Sequence, residues 1–340
     1  MRLMDEATKQ KLVSQDNREL IDKWIAPNFP SRIALSLAEA PCVLKCKMCP
    51  QAEEHNRWLF PELRYMDWDV FKEISRQIPN DPDIQLEISA YCDPMQNKDC
   101  EAFIRYFRDS HPDNYITLAT EGLYLDEKRA RALLDSGVTH ISYSLNANSP
   151  ESYEWLCGRD AYDLVKKNLE RLIKMRDRME GAKPIITTHI IGIKENEADF
   201  ESFTSQWREF LPDGVAIRTF GNWGGVVDGN VTPLDNWKDI DWSNRYPCLN
   251  PFNANKIVSN GDYYACFVDI YARDKPLGNI METSIGEAWK TTYQAHRYMH
   301  LHGDFGHRMC GGCMVWSLFP NLFDKTDDGC FHLREDNGDG

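Results

Sequence analysis

From Ile33 to Phe220 the sequence alternates two periods, and that alternation restricts the fold more than any other feature. Strand-length apolar runs predict β-strands over Ile33–Ala38, Ile84–Ala90, Tyr115–Thr120, Thr139–Leu145, Ile185–Gly192 and Val215–Phe220. Helical spacing predicts helices over Trp68–Ile78, Cys100–Arg108, Glu127–Ser136, Asp163–Met179 and Ala198–Phe210, with Gly137 and Gly181 as stop signals. Repeated strand–helix units form a parallel sheet with right-handed crossovers. The expected fold class is α/β, and in barrels of that class the functional groups lie at the C-terminal ends of the strands.

Directly after the first apolar run stands Cys42-Val-Leu-Lys-Cys46-Lys-Met-Cys49, a Cys-x3-Cys-x2-Cys array. Three thiolates so spaced fold around three irons of a cubane cluster. A four-iron cluster needs four ligands, so its fourth iron would stay open for a non-protein ligand. The plainer alternatives are a zinc knuckle, which normally uses four ligands in paired Cys-x2-Cys form, or three core cysteines.

A second array follows later. Cys248 is followed by twelve residues, Gly261, four residues and Cys266, and Cys310-Gly-Gly-Cys313 comes after. Asn260-Gly261-Asp262 predicts a hairpin turn between Lys256–Val258 and Tyr263–Phe267, which would bring Cys248 and Cys266 together. Four thiolates close either a four-iron cluster or a zinc site, and spacing alone does not choose. Of the remaining cysteines, Cys100 and Cys157 read as helix-borne core residues. Cys92 lies at a strand end, and Cys330 in an acidic, Gly-rich tail.

The 340 residues allow one large α/β barrel or two smaller domains. Eleven cysteines without a secretory h-region point to metal or redox chemistry in a reduced, cytoplasmic setting. No apolar run approaches a membrane span. A net charge of −14 argues against nucleic acid and suits a neutral or cationic small molecule. Residues 1–31 predict one helix, Glu6 to Trp24, and a Pro-marked connector; a peptide-binding module with its own core is not expected there.

The first cysteine array resembles that of the radical SAM superfamily. There the open iron chelates S-adenosylmethionine, and one-electron reduction yields a 5′-deoxyadenosyl radical. Six strand–helix units match that family's partial (β/α)6 TIM-like barrel. Further stretches carry the likeness. Cys92-Asp93-Pro94 resembles the Gly-Glu-Pro or Gly-Asp-Pro that receives the methionine ammonium, with Cys92 in place of a glycine. Ala119-Thr120-Glu121-Gly122 resembles the family's Thr-Asn-Gly. Ser144 and Asn146 match the segment touching the SAM ribose and carboxylate, and Met48 holds the position whose backbone meets the adenine. Arg218, in an apolar strand, needs an anionic partner, either the SAM carboxylate or a substrate group. His189 also sits in an apolar run, where a histidine is more often a satisfied core residue. Asn222-Trp-Gly-Gly225 resembles the family's exit from its sixth strand.

The second array is similar to the SPASM/twitch extension of these enzymes. Leu277-Gly-Asn-Ile280 and Ile285–Trp289 add to that likeness. It implies a second, auxiliary [4Fe–4S] cluster on Cys248, Cys266, Cys310 and Cys313, in the short form found in radical SAM dehydrogenases of aminoglycoside-type biosynthesis. The implied layout is a helical extension over 1–31, a barrel over 32–228, a linker over 229–247, an auxiliary domain over 248–318 and an acidic tail over 319–340. The implied activity is two-electron oxidation of a sugar or aminocyclitol carbinol, with a flavodoxin- or ferredoxin-type electron donor and Arg218, His189 and Cys92 as candidate catalytic residues. The alternatives are epimerisation with Cys92 or Cys330 as hydrogen donor, peptide or protein modification, and a non-enzymatic two-cluster electron carrier.

Overall fold

Helices begin where a short acidic or hydroxyl side chain takes up a free backbone N–H. Asp67 caps α1 (Trp68–Gln77) by accepting from Val70 N at 3.0 Å. Asp126 caps α3 (Glu127–Asp135) through Arg129 N, and Ser149 opens α4 (Pro150–Cys157) with a capping box. The other α-helices of more than one turn among the described residues are α2 (Cys100–Ser110), α5 (Tyr162–Asp177), α6 (Phe200–Arg208), α7 (Ile285–Lys290) and α8 (Thr292–Leu301), and a single turn spans Asn250–Asn253. The structure is a computed structural model that describes residues 28–52, 63–89, 91–212, 214–227, 229–234, 239–269, 276–306, 309–319 and 321–334. The expected helix from Glu6 to Trp24 lies outside them.

Six parallel strands run in the predicted order: β1 (Arg32–Leu35), β4 (Gln85–Ile88), β5 (Tyr115–Thr120), β6 (His140–Ser144), β7 (Ile185–Gly192) and β8 (Val215–Thr219). A two-stranded ribbon, β2 (Ala38–Glu39) with β3 (Arg64–Tyr65), follows β1. The sheet, however, has eight strands, ordered β10-β9-β1-β4-β5-β6-β7-β8. The hairpin expected within the auxiliary segment forms as β9 (Ala254–Ile257) and β10 (Tyr263–Tyr264), and β9 pairs parallel with β1. The auxiliary segment is therefore hydrogen-bonded into the barrel sheet. A last ribbon, β11 (Phe323–Lys325) with β12 (Phe331–Leu333), packs Phe323 and Phe331 with Leu249 and Phe252.

Side chains alternate across a strand. One face carries Ile33, Leu35, Leu86, Ile88, Leu118 and Ile141, all fully buried, in one core with Phe71, Phe103 and Phe107 from the helices. Each such ring contributes about 1.5–3 kcal/mol by leaving water. The other face carries Glu87, Thr117, Ser142, Ser144, Thr187 and His189, aligned strand to strand by register, and Arg218 lies beside Ile191 on the same side. The barrel thus presents a polar inner face.

Candidate iron–sulphur and S-adenosylmethionine site

The Cys42–Cys49 loop is fixed at both ends. Cys42 N–H donates to Gln51 Oε1 at 2.8 Å, and Cys49 N–H to the Cys46 carbonyl at 2.8 Å. Its middle is clamped by the last turn of α4: Lys45 N–H donates to the Cys157 carbonyl and Lys47 N–H to that of Leu156, at 2.9 and 2.8 Å. The Cys157 thiol hydrogen-bonds that of Cys46, which pushes Cys46 well up, with burial adding to it. Cys157 is the helix-borne core residue that its sequence position suggests, fully buried, and it also supports the cysteine loop. Burial and Cys46 push Cys49 up to about 12, and burial and Glu121 raise Cys42. Dehydrated thiolates that repel one another are what bound iron cations neutralise, so the donor set fits a cluster on three cysteines.

Asp93 lies fully buried at the end of β4. Its Oδ1 accepts from Met95 N at 2.8 Å; its Oδ2 accepts from Thr120 Oγ1 at 2.6 Å and Glu121 N at 3.0 Å. It joins the turn begun by Pro94 to the end of β5. Arg129 holds the same turn, donating to the Asn97 carbonyl at 3.1 Å and pairing with Glu101 at 2.7 Å. Glu121 Oε1 lies 4.0 Å from Cys42 Sγ, and burial and Asp93 push its carboxyl well up. Only its position in the Thr-Asn-Gly-like stretch signalled it. Cys92 is buried among Ala38, Ala40 and Cys42, its thiol 3.4 Å from the Ala38 carbonyl.

On the inner face, His189 Nε2 lies 3.2 Å from Ser144 Oγ, and Arg218 donates to Ser142 Oγ at 3.0 Å. Burial and the Arg218 charge hold His189 well below its usual range, and burial brings Arg218 down to about 10. Among the described residues, His189 Nδ1, Arg218 Nε and Asn146 Oδ1 are buried without a hydrogen-bond partner. Asn146 adopts φ 63° as its N–H reaches the His189 carbonyl. Unmatched buried polar atoms cost about 1–3 kcal/mol each, and here three of them lie on or beside the polar inner face. Sequence reasoning missed Lys256 on β9, which is fully buried, donates to the Ser89 carbonyl at 3.1 Å and lies 5.2 Å above the Tyr91 ring.

Cys248, Cys266, Cys310 and Cys313 lie close enough to act on one another's charge. Burial raises all four, and charge on Cys313 disfavours charge on the other three. Arg245 faces the group, donating to the Cys310 carbonyl at 2.6 Å and stacking over Phe305 at 4.3 Å. His296 and His300 of α8, unforeseen from sequence, approach Cys310 Sγ at 3.8 and 3.4 Å. The Asn222-Trp-Gly-Gly225 exit of β8 closes over this loop: a Cβ on Gly312 would lie 3.0 Å from the Gly224 carbonyl.

Family models match twice: the radical SAM superfamily over residues 41–205, and an iron–sulphur cluster-binding domain, SPASM, over 248–314. A GTP 3′,8-cyclase from Nautilia profundicola is 29% identical over 106 residues, 31% of this chain and 31% of that protein. The chain aligns with less than half the length of the curated relatives it matches. Among solved structures, BtrN in complex with AdoMet and 2-DOIA aligns at TM-score 0.52 and 18% identity, over 84% of this chain and 92% of that one. SuiB of Streptococcus suis bound to the precursor peptide SuiA aligns at 0.62 and 14%, over 91% and 74%. At such identities these structures speak for the fold alone. Among the described residues no helix is long and apolar enough to cross a membrane. The chain belongs to the radical SAM superfamily, with a [4Fe–4S] cluster and S-adenosylmethionine as cofactors and a C-terminal SPASM-type domain for auxiliary iron–sulphur chemistry.

Proposed function

We propose that this chain removes two electrons and two protons from a carbinol of a sugar or aminocyclitol, leaving a ketone. The carrying observation is the pair of buried atoms on the inner face without protein partners, Arg218 Nε and His189 Nδ1. Cys42, Cys46 and Cys49 would hold the cluster that binds S-adenosylmethionine, which would supply the hydrogen-abstracting chemistry, and Cys248, Cys266, Cys310 and Cys313 would hold an auxiliary cluster able to accept the second electron. The residues do the rest. Arg218 donates to the substrate oxygen. His189, with Nε2–H turned to Ser144 Oγ, takes the hydroxyl proton at Nδ1. Ser144 and Asn146 hold the cofactor beside them, and Asp93 fixes the turn below it. A flavodoxin- or ferredoxin-type donor would supply the reducing electron.

Epimerisation finds less support. The Cys92 thiol donates to the Ala38 carbonyl, and Cys330 is held in its own turn, its carbonyl accepting from Thr326 Oγ1 and its N–H donating to Asp328 Oδ1. The test is anaerobic turnover with carbinol-deuterated aminocyclitols and amino sugars. Deuterium in 5′-deoxyadenosine with one ketone per cleaved SAM is expected. Inverted alcohol in place of ketone would establish the epimerase instead, and labelling only from peptides would replace the small-molecule reading.

A further inference from the structure

His300 sits between two of the cysteines assigned to the auxiliary cluster. It is 1% exposed, on α8, one helical turn beyond His296. The Cys248 backbone N–H donates to His300 Nδ1 at 3.3 Å. A backbone N–H donates only, so Nδ1 must be the bare nitrogen. The proton of a neutral imidazole then stands on Nε2. Nε2 is 3.4 Å from Cys310 Sγ, within hydrogen-bond range for sulphur. The tautomer is therefore set by the chain, and His300 faces Cys310 with a proton rather than a lone pair. That excludes His300 as a ligand through Nε2, although His296, His300 and Cys310 present donor atoms within 4.8 Å of one another.

We propose that His300 is a positioning residue that donates an N–H···S hydrogen bond to the Cys310 thiolate and raises the reduction potential of the auxiliary cluster. The proposal rests on Cys310 being a ligand of that cluster. Hydrogen bonds to cluster sulphurs stabilise the more negative, reduced state. One imidazole also joins the Cys248 loop to the Cys310-Gly-Gly-Cys313 loop, so the two ligand pairs keep their spacing when the charge changes. His296 Nε2 lies 3.8 Å from the same sulphur, also within hydrogen-bond range, with its ring centroid 5.0 Å from that of His300. A raised potential would let the auxiliary site accept an electron from a substrate radical.

The experiment is an EPR-monitored redox titration of the reconstituted full chain, wild type against His300→Phe and His300→Gln, with iron and sulphide counted in each. Gln can replace both functions, accepting from Cys248 N–H through its carbonyl and donating through its amide. His300→Phe should keep full iron and move the auxiliary midpoint down by a tenfold change in the reduction equilibrium, about 59 mV for one electron. His300→Gln should recover most of it, and the midpoint of the Cys42–Cys49 cluster should stay in place. An unmoved auxiliary midpoint in a fully loaded Phe variant would overturn the proposal. Should the Phe variant lose its cluster, pulsed EPR on wild type decides: a weak, deuterium-exchangeable proton coupling supports a donor, and a strong ¹⁴N coupling of a ligating nitrogen overturns it. Cys310→Ala separates the two readings, since unchanged iron there would remove Cys310 as a ligand whatever His300 does.

Discussion

Trp223 Nε1 donates to the Met48 carbonyl at 3.1 Å, tying the exit of β8 to the residue between Cys46 and Cys49. Its neighbour Asn222 holds the other cysteine loop, with Nδ2 donating to the Gly312 carbonyl at 2.8 Å and Oδ1 accepting from Met314 N at 3.2 Å. One dipeptide therefore fixes both cluster loops. Trp223 accepts φ 49° to do so, in the left-handed region that costs a bulky residue energy.

Trp223→Phe keeps the ring and removes this hydrogen bond, worth about 1 kcal/mol net. The Met48 backbone would loosen, and the Kd for SAM on the reconstituted protein should rise about fivefold, with iron content unchanged. Equilibrium SAM binding checks this. A lowered melting temperature with the same Kd would mean that the bond only stabilises the fold.

Asp93→Ala should cost about 3 kcal/mol, because it strands the Met95 and Glu121 amides and the Thr120 hydroxyl. Asp93→Asn keeps an acceptor for Met95 N but turns an NH2 toward the other two donors, and should cost about half as much. Anaerobic melting curves of both variants test the order. A melting curve for Asp93→Asn equal to wild type would assign Asp93 to the SAM ammonium alone.

Changing Cys248, Cys266, Cys310 and Cys313 together to Ala should lower iron from about eight to about four per chain, if each site holds a four-iron cluster. Iron, sulphide and zinc analysis after anaerobic reconstitution checks it. One zinc lost with iron unchanged would make the second site structural, and the electron-acceptor role would fall with it.

Arg218→Lys should lower ketone formation about 10- to 100-fold, the range for one lost charge-assisted contact. An ammonium cannot reproduce the Nε–H direction while also reaching Ser142. Reductive SAM cleavage without substrate should persist, because the cysteine loop is held by Gln51, Leu156 and Cys157 while Arg218 bonds Ser142. Equal loss of both activities would place Arg218 on the cofactor.

The six strands and most helices were legible because period-2 and period-3.6 patterns are local, and the two cysteine arrays because ligand spacing is local. What escaped the sequence is tertiary. Pairing of β9 with β1 joins Arg32 to Ala254, and no local pattern encodes that register. Helix α4 is short, so the Cys157 clamp on Lys45 could not be seen in advance. His300 stands ten residues before Cys310 and meets it only because α8 folds back over the hairpin. Lys256 read as one more polar residue in a hairpin strand until the sheet buried it.

That lysine gives the last prediction. Burial drives the Lys256 amine down to about 7, with Glu87 and Glu39 holding it up in part. The folded pKa is therefore depressed below the unfolded value of about 10.4. Between these values the unfolded chain binds a proton that the folded chain lacks, so stability rises with pH through that window. Below about pH 7 both states carry the charge, and the lysine adds no slope. Lys256→Met removes the linkage, so the variant's melting temperature should gain less than wild type between pH 7.5 and 9.5 (a span chosen inside about 7 to 10.4). Tyrosines and cysteines titrate in both proteins and cancel in the difference. Parallel curves for the two proteins would mean that Lys256 keeps its proton in the folded state, balanced by Glu87 and Glu39.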